Sequence, residues 1–292
     1  MKPAQFDYHA PSDLTEAVRL LGELGDSARP LAGGQSLIPL LSMRLARPAA
    51  IVDLNRIPGL EYHRLEADAL VVGALCRHRD IEHDQRISAR CEAIGEAVPL
   101  IGHVGIRNRG TVVGSLAHAD PSAEWPALAV LLEASVRILG TGGERNLGAS
   151  EFFTGLLSTD LRVGEMIVEA RFPWLPEGAG SAFVEVARRH GDFALGAAAA
   201  VIQVGPDGAV AMARIVLAGF ASVPLRSHAA EAQLVGRTPS DAELESASTI
   251  ASQALDPTGD IHAPASYRRT LARTLARRAL RLAADRSLRG RT

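Results

Sequence analysis

Between Gly102 and Ser115 the chain carries glycines at 102, 105, 110 and 114 within an otherwise apolar region. Glycine gives up more conformational freedom on folding than any other residue, so this density predicts backbone held close to something. An earlier pair lies in Gly33-Gly34-Gln35-Ser36, between a short strand-like segment at 28–32 and an apolar helix expected over 37–45. That order reads as strand, glycine turn, helix. Residues without side chains at the start of a helix leave backbone amides open, where the helix dipole favours an anion such as a phosphate. An ordinary tight turn with Ser36 as N-cap fits the same four residues. Neither a P-loop lysine nor a GxGxxG spacing is present, which removes the best evidence for a mononucleotide kinase or a Rossmann dehydrogenase.

The second loop, 107–115, also presents glycines and hydroxyls, at Gly110, Thr111, Gly114 and Ser115, with Asp120 and Glu124 downstream. Two such loops can grip the two phosphates of one pyrophosphate from opposite sides and leave a carboxylate for a ribose or adenine. Together they read as a dinucleotide clamp.

The rest of the pattern sets the frame. Asp13 followed by Glu16 starts a capping box, and Leu14, Ala17, Val18, Leu21 and Leu24 recur at the helical period, so a helix is expected over 13–24. Strands are expected at 49–54, 70–74, 136–139 and 166–172, a helix at 88–97, and a helix or strand in the apolar run 126–136. The breaker pair Pro58-Gly59 puts a sub-domain boundary near 57, and Pro176-Glu177-Gly178-Ala179-Gly180 is the best linker candidate. Beyond it, 194–204 and 209–218 read as antiparallel strands joined by Gly205-Pro206-Asp207-Gly208, followed by helices at 241–254 and 266–285. The arginines of the last helix read as a solvated face.

Composition narrows the function. A chain of 292 residues, 47% hydrophobic and 22% charged, is globular and long enough for about two domains. Its 31 basic and 33 acidic side chains give a formal charge of -2, which disfavours generic nucleic-acid binding. Two cysteines, Cys76 and Cys91, cannot hold an iron-sulfur cluster, which needs about four thiolates; they read as small buried hydrophobes. His78, His83, His103 and His118 lack metal-ligand spacing. The apolar stretches at 126–136 and 194–204 fall short of the roughly 18 residues that span a bilayer, and the N-terminus lacks the apolar core of a secretory signal. A cytoplasmic address is therefore expected.

Four segments carry a family resemblance: Ala32-Gly33-Gly34-Gln35-Ser36-Leu37; the run from Ile106 through Arg107-Asn108-Arg109-Gly110-Thr111-Val112-Val113-Gly114-Ser115 to His118, Asp120 and Glu124; Phe152-Phe153-Thr154-Gly155; and Arg188-Arg189-His190-Gly191-Asp192-Phe193-Ala194. In these the chain resembles, over essentially its whole length, the flavoprotein (medium) subunit of carbon monoxide dehydrogenase and related molybdenum hydroxylases of the xanthine dehydrogenase family. The resemblance implies an α+β fold: an FAD-binding domain of the vanillyl-alcohol-oxidase (PCMH) type in two sub-domains, 1–57 and 58–175, and a C-terminal α/β domain with an antiparallel sheet, 176–292.

It further implies non-covalent FAD with its pyrophosphate between 32–36 and 111–115. The implied cofactor-binding residues are Ala32, Gly33, Gly34, Gln35, Ser36, Leu37, Ile101, Thr111, Val113, Gly114, Ser115, His118, Asp120, Glu124, Met166 and Phe193, with no catalytic acid, base or metal ligand on this chain. Molybdopterin is expected on a large partner subunit and [2Fe-2S] clusters on a small one, with electrons passing through the FAD to NAD or another acceptor. The family often has glycine where this chain has Val113, and tyrosine where it has Phe193. Alternatives are a stand-alone flavin oxidoreductase of the same fold and a non-enzymatic nucleotide-binding assembly protein.

Overall fold

The computed structural model describes residues 2–290. Helix Leu14–Leu24 begins as its sequence dictates. The Asp13 carboxylate accepts the Glu16 N–H at 2.9 Å, and Glu16 accepts from the Ser12 N–H at 3.2 Å. Its buried stripe of Ala17, Val18 and Leu21 packs on a parallel sheet in the order Asp7–His9, Ala50–Asp53, Ala28–Leu31. Helix Leu37–Ser42 follows the first glycine turn and ends earlier than the apolar run that predicts it.

A second sheet, antiparallel throughout, runs in the order His63–Leu65, Ala69–Gly73, Met166–Pro173, Ser135–Gly140, Gly143–Gly148. The chain leaves it after Gly73 and returns at Ser135, and the excursion contains the short helices that carry the second glycine loop. The helix expected over 88–97 is two, Gln85–Arg90 and Glu92–Ala97, because Cys91 adopts extended backbone between them while its side chain is buried. The apolar run after Glu124 resolves into helix Glu124–Leu131, with Trp125, Leu128 and Leu131 fully enclosed.

The third sheet is antiparallel, in the order Ala179–Ala187, Ala194–Val204, Val210–Ala218, Leu225–Arg226. Its central strand, Ala194–Val204, is buried on both faces. Phe183, Ala197, Ala199, Val216 and Ala218 join the core of the first two sheets, whereas Ala182, Ala198, Ala200, Ile215 and Leu217 pack beneath helices His228–Leu234, Asp241–Gln253 and Ala265–Arg289. Double burial explains the near-continuous apolar run at 194–204, and alanine there lets both layers approach closely.

Two expectations are corrected. The segment at 176–180 is not an open linker, because the strand starts at Ala179 and Gly180 is packed so tightly on the last helix that a Cβ would lie 2.2 Å from the Ala283 carbonyl oxygen. The last helix is not simply a solvated arginine face. Arg268 is buried and donates to the Leu195 carbonyl at 2.8 Å, and Arg286 ties the helix to Glu96 at 2.5 Å.

Candidate functional site

The two glycine loops touch. Gly33 lies against Arg109 and Gly110 so closely that a Cβ on it would sit 2.3 Å from the Arg109 carbonyl oxygen and 2.8 Å from the Gly110 Cα. Any larger residue at 33 forces the loops apart. Gly34 has φ of +74°, a left-handed conformation that favours glycine, and so turns the chain into helix Leu37–Ser42. Ser36 makes no side-chain capping bond, so the plain N-cap reading fails. Among the described residues none accepts a hydrogen bond from the backbone amides of Gly33 to Leu37.

The second loop is folded back by its own side chains. Thr111 caps helix Val112–His118 by accepting the Gly114 N–H at 3.0 Å, and a Cβ on Gly114 would meet that hydroxyl at 2.5 Å. Behind it stands His78, whose N–H donates to the Gly110 carbonyl at 3.1 Å and whose ring a Cβ on Gly110 would meet at 2.8 Å. Burial first, then the Arg107 and Arg77 charges, pull the His78 pKa down to about 3, so the ring is neutral. Its Nδ1 accepts from Trp125 Nε1 at 3.1 Å, which puts the ring proton on Nε2.

Arg77 binds the loops together. Its Nη1 donates to the Arg109 carbonyl at 2.5 Å and its Nη2 to Asn55 Oδ1 at 2.7 Å, while Asn55 Nδ2 donates to the Ala32 carbonyl at 2.8 Å. Asn55 is steadied by Asp53, whose other carboxylate oxygen accepts from the Tyr8 hydroxyl at 2.5 Å. A cavity of about 430 Å³ opens beside this junction, walled by Ala32, Gly33, Gly34, Gln35 and Ile38 on one side and by Asp53, Asn55 and Arg109 on the other. Burial, then the charge of Arg109, lower the Arg77 pKa. Open amides and the Arg109 guanidinium in the cavity wall, with the Arg77 charge behind them, form a setting that suits a polyanion such as a pyrophosphate.

Not all the expected residues lie here. The side chain of Val113 is buried in the core at 4% exposure, so only its backbone is available to a ligand. Ile101 and Met166 are core residues as well, Ile101 with its carbonyl accepting from Arg107 Nη1 at 3.2 Å. His118 ends the helix that Thr111 begins, and Asp120 accepts the Ser122 N–H at 2.9 Å in the turn beyond. Glu124 is buried. Phe193 is 65% exposed and so lies outside the core. Its loop docks on the second glycine segment, since a Cβ on Gly191 would lie 2.8 Å from the Gly102 carbonyl oxygen. Arg77, Asn55 and Asp53 were not expected; the bonds that tie Arg77 to Arg109 and Asn55, and Asn55 to Ala32, span more than twenty residues, and no local spacing marks them.

Paired glycine loops beside an anion-suited cavity, with the loop of Phe193 docked on the second glycine segment, suit a nucleotide-binding protein of the α+β type. Residues 4–175 match the FAD binding domain in molybdopterin dehydrogenase, and residues 181–283 match the CO dehydrogenase flavoprotein C-terminal domain. The chain belongs to the family of FAD-binding medium subunits of the molybdenum hydroxylases, FAD-dependent oxidoreductase components of molybdenum-containing complexes.

Among its relatives, the 6-hydroxypseudooxynicotine dehydrogenase complex subunit alpha of Paenarthrobacter nicotinovorans is 41% identical, over 98% of this chain and 97% of its own. The caffeine dehydrogenase subunit beta of Pseudomonas sp. (strain CBB1) is 40% identical, with 98% and 97% covered. Carbon monoxide dehydrogenase from Hydrogenophaga pseudoflava, solved in a form lacking the Mo-pyranopterin moiety, superimposes with a TM-score of 0.94 at 38% identity, covering 98% of this chain and 99% of that one. Among the described residues no helix is long and apolar enough to cross a membrane.

Proposed function

We propose that the chain holds FAD non-covalently and relays electrons from [2Fe-2S] clusters on a small partner subunit to NAD or another acceptor, the molybdopterin centre being on a large partner subunit. The observation that carries this reading is the seating of Gly33 on the Arg109 carbonyl, which brings the first glycine loop and Arg109 of the second to one cavity. Family membership supports the flavin, and relatives whose names give them as medium chains or complex subunits support a hetero-oligomer. A cytoplasmic site for the assembly belongs to the same reading.

In this reading the amides of 33–37 and the loop 111–115 bind the pyrophosphate, and Arg77 and Arg109 neutralise part of its charge. Asp53, already fixed by Tyr8 and Asn55, offers a carboxylate oxygen to a sugar hydroxyl. Asp120, Glu124 and the ring of Phe193 line the way from the glycine loops to the flavin ring, and Phe193 shields that ring from water. His118, Ile101 and Met166 support the wall rather than touch the charge. The bound flavin supplies two-electron redox chemistry; the chain supplies position and electrostatic tuning. In the same reading the sub-domains are 1–57, 58–175 and 176–292.

The test is purification of the full chain with and without its partner subunits. A yellow chain that releases its flavin on acid precipitation, and that assembles with one larger and one smaller subunit, is the expected result. A colourless chain, or one that turns over a small substrate unaided, contradicts it.

A further inference from the structure

A second cavity, of about 570 Å³, lies on the C-terminal part, where helix Ala265–Arg289 meets helix Asp241–Gln253 and strand Ala179–Ala187. The long helix lines it with Arg273, Arg277, Arg278 and Arg281, the shorter helix with Glu245, and Val184 and Leu282 form an apolar margin. Four arginines thus face one carboxylate, in a chain whose formal charge is -2. The helical period produces the row. Arg273, Arg277 and Arg281 recur every fourth residue, so they climb one side of the helix at about 6 Å a step. The buried stripe that includes Ala272, Leu275, Ala279 and Ala283 packs in the second core and fixes the rotation of the helix, which holds the row in place.

These guanidinium groups find little to bind within the chain. Glu245 is shared between Arg273 at 3.8 Å and Arg277 at 3.2 Å, both longer than the roughly 2.7–2.9 Å of a charge-assisted hydrogen bond. Arg281 pairs with Asp241. Among the described residues, the side chains of Arg273, Arg277 and Arg278 make no hydrogen bond, and Arg278 has no acidic partner. Arg268 and Arg286 on the same helix are each bonded to a carboxylate and a carbonyl oxygen. The contrast separates arginines that tie the helix down from arginines that offer free donors to a groove.

We propose that this groove binds a ligand with linked phosphate groups, such as a polyphosphate or a nucleoside triphosphate. Guanidinium forks match phosphate oxygens two at a time. A single phosphate reaches neighbouring arginines only, whereas the row extends about 12 Å from Arg273 to Arg281 and calls for phosphates in a chain. The phosphates take the place of Glu245 on Arg273 and Arg277, and a nucleoside part, where the ligand has one, lies on Val184 and Leu282. This site shares no lining residue with the cavity at the glycine loops and does not depend on the FAD reading.

The experiment is isothermal titration calorimetry of the FAD-loaded full chain with sodium tripolyphosphate and, separately, with ATP, near physiological ionic strength. The expected result is one saturable site with a Kd of about 0.1 mM or tighter for at least one of them, weakened at least roughly tenfold in Arg277→Gln/Arg281→Gln and by added salt. Arg19→Gln, which removes an exposed arginine of the first helix, leaves it unchanged. Equal Kd values assign the phosphate chain as the whole ligand, and a tighter one for ATP that Leu282→Ser abolishes assigns a nucleotide. Absence of saturable binding, or binding undiminished in the double variant, overturns the proposal. So does binding lost in Arg109→Gln and kept in the double variant, which puts the anion at the glycine loops. Arg277 is half exposed and Arg281 about 39% exposed, so the variant should fold, as circular dichroism checks; Arg273→Gln decides should it not. A chain that takes up no FAD fails the flavin reading and is titrated as it is.

Discussion

Arg77 and Asn55 meet at 2.7 Å, guanidinium to side-chain carbonyl, and this bond fastens the segment after the second sheet's Gly73 to the parallel sheet that carries the first glycine turn. The other arm of Arg77 reaches the Arg109 carbonyl, the same oxygen that excludes a side chain from Gly33. The spacing of the two loops is thus set by one arginine and one glycine. Arg77→Met removes both bonds and one positive charge. Hydrogen bonds to charged groups contribute about 1.5–3 kcal/mol each, so FAD affinity should fall at least roughly tenfold while the C-terminal sheet stays folded. Flavin-fluorescence titration checks the first part and circular dichroism the second; undiminished affinity would mean that the loops hold their distance without Arg77.

Val113→Gly tests the other loop. The valine is in the core and within helix Val112–His118, so the change leaves a cavity and puts glycine in a helix. A loss of roughly 2–4 kcal/mol in stability is expected, although the family often has glycine at this position. Denaturant unfolding measures it, and a neutral result would show that the core collapses around the gap.

Stability should also fall on the alkaline side. Glu124 and Glu185 have folded pKa values of about 8 and about 7, both above the ordinary 4.5, so the folded chain holds protons that the unfolded chain has released. Their contribution is fully present below about 4.5 and is lost as pH rises through 7 to 8. Melting temperatures across that window should decline in the wild type and decline less in Glu185→Gln. Parallel curves would show that Glu185 ionises as it does in the unfolded chain.

Phe193 is exposed, so its removal leaves no cavity. Phe193→Ala should keep the melting temperature of the apo chain within a few degrees yet alter the absorption envelope of the bound flavin, and Phe193→Tyr should leave both unchanged. A large drop in melting temperature with an unchanged spectrum would place the ring away from the flavin.

Much of the frame is legible in the sequence because it is locally encoded. The Asp13 cap, the hairpin turn at 205–208 and the long last helix each follow from neighbouring residues, and each forms within a few positions of its expected limits. The glycine loops are legible as a pair, and their contact is of the kind that glycine density announces. What was hidden is long-range. Gly180 reads as linker because its neighbours are breakers, yet it is glycine because a helix more than a hundred residues later lies against it. Cys91 splits a helix whose periodicity runs straight through it. Arg77, Asn55 and Asp53 are polar residues without a local motif, and only the folded chain links them, with Asn55 and Asp53 in the cavity wall and Arg77 bonded to Asn55.

The most direct measurement is the ratio of FAD to polypeptide in the purified full chain and in Gly33→Val, determined from the flavin released by acid precipitation. A ratio near one for the wild type, with the flavin recovered in the supernatant, and a ratio near zero for a variant that retains its circular dichroism spectrum, is the expected result. Full flavin retention by Gly33→Val would contradict the two-loop site, because a side chain at that position cannot coexist with the Arg109 carbonyl as it stands.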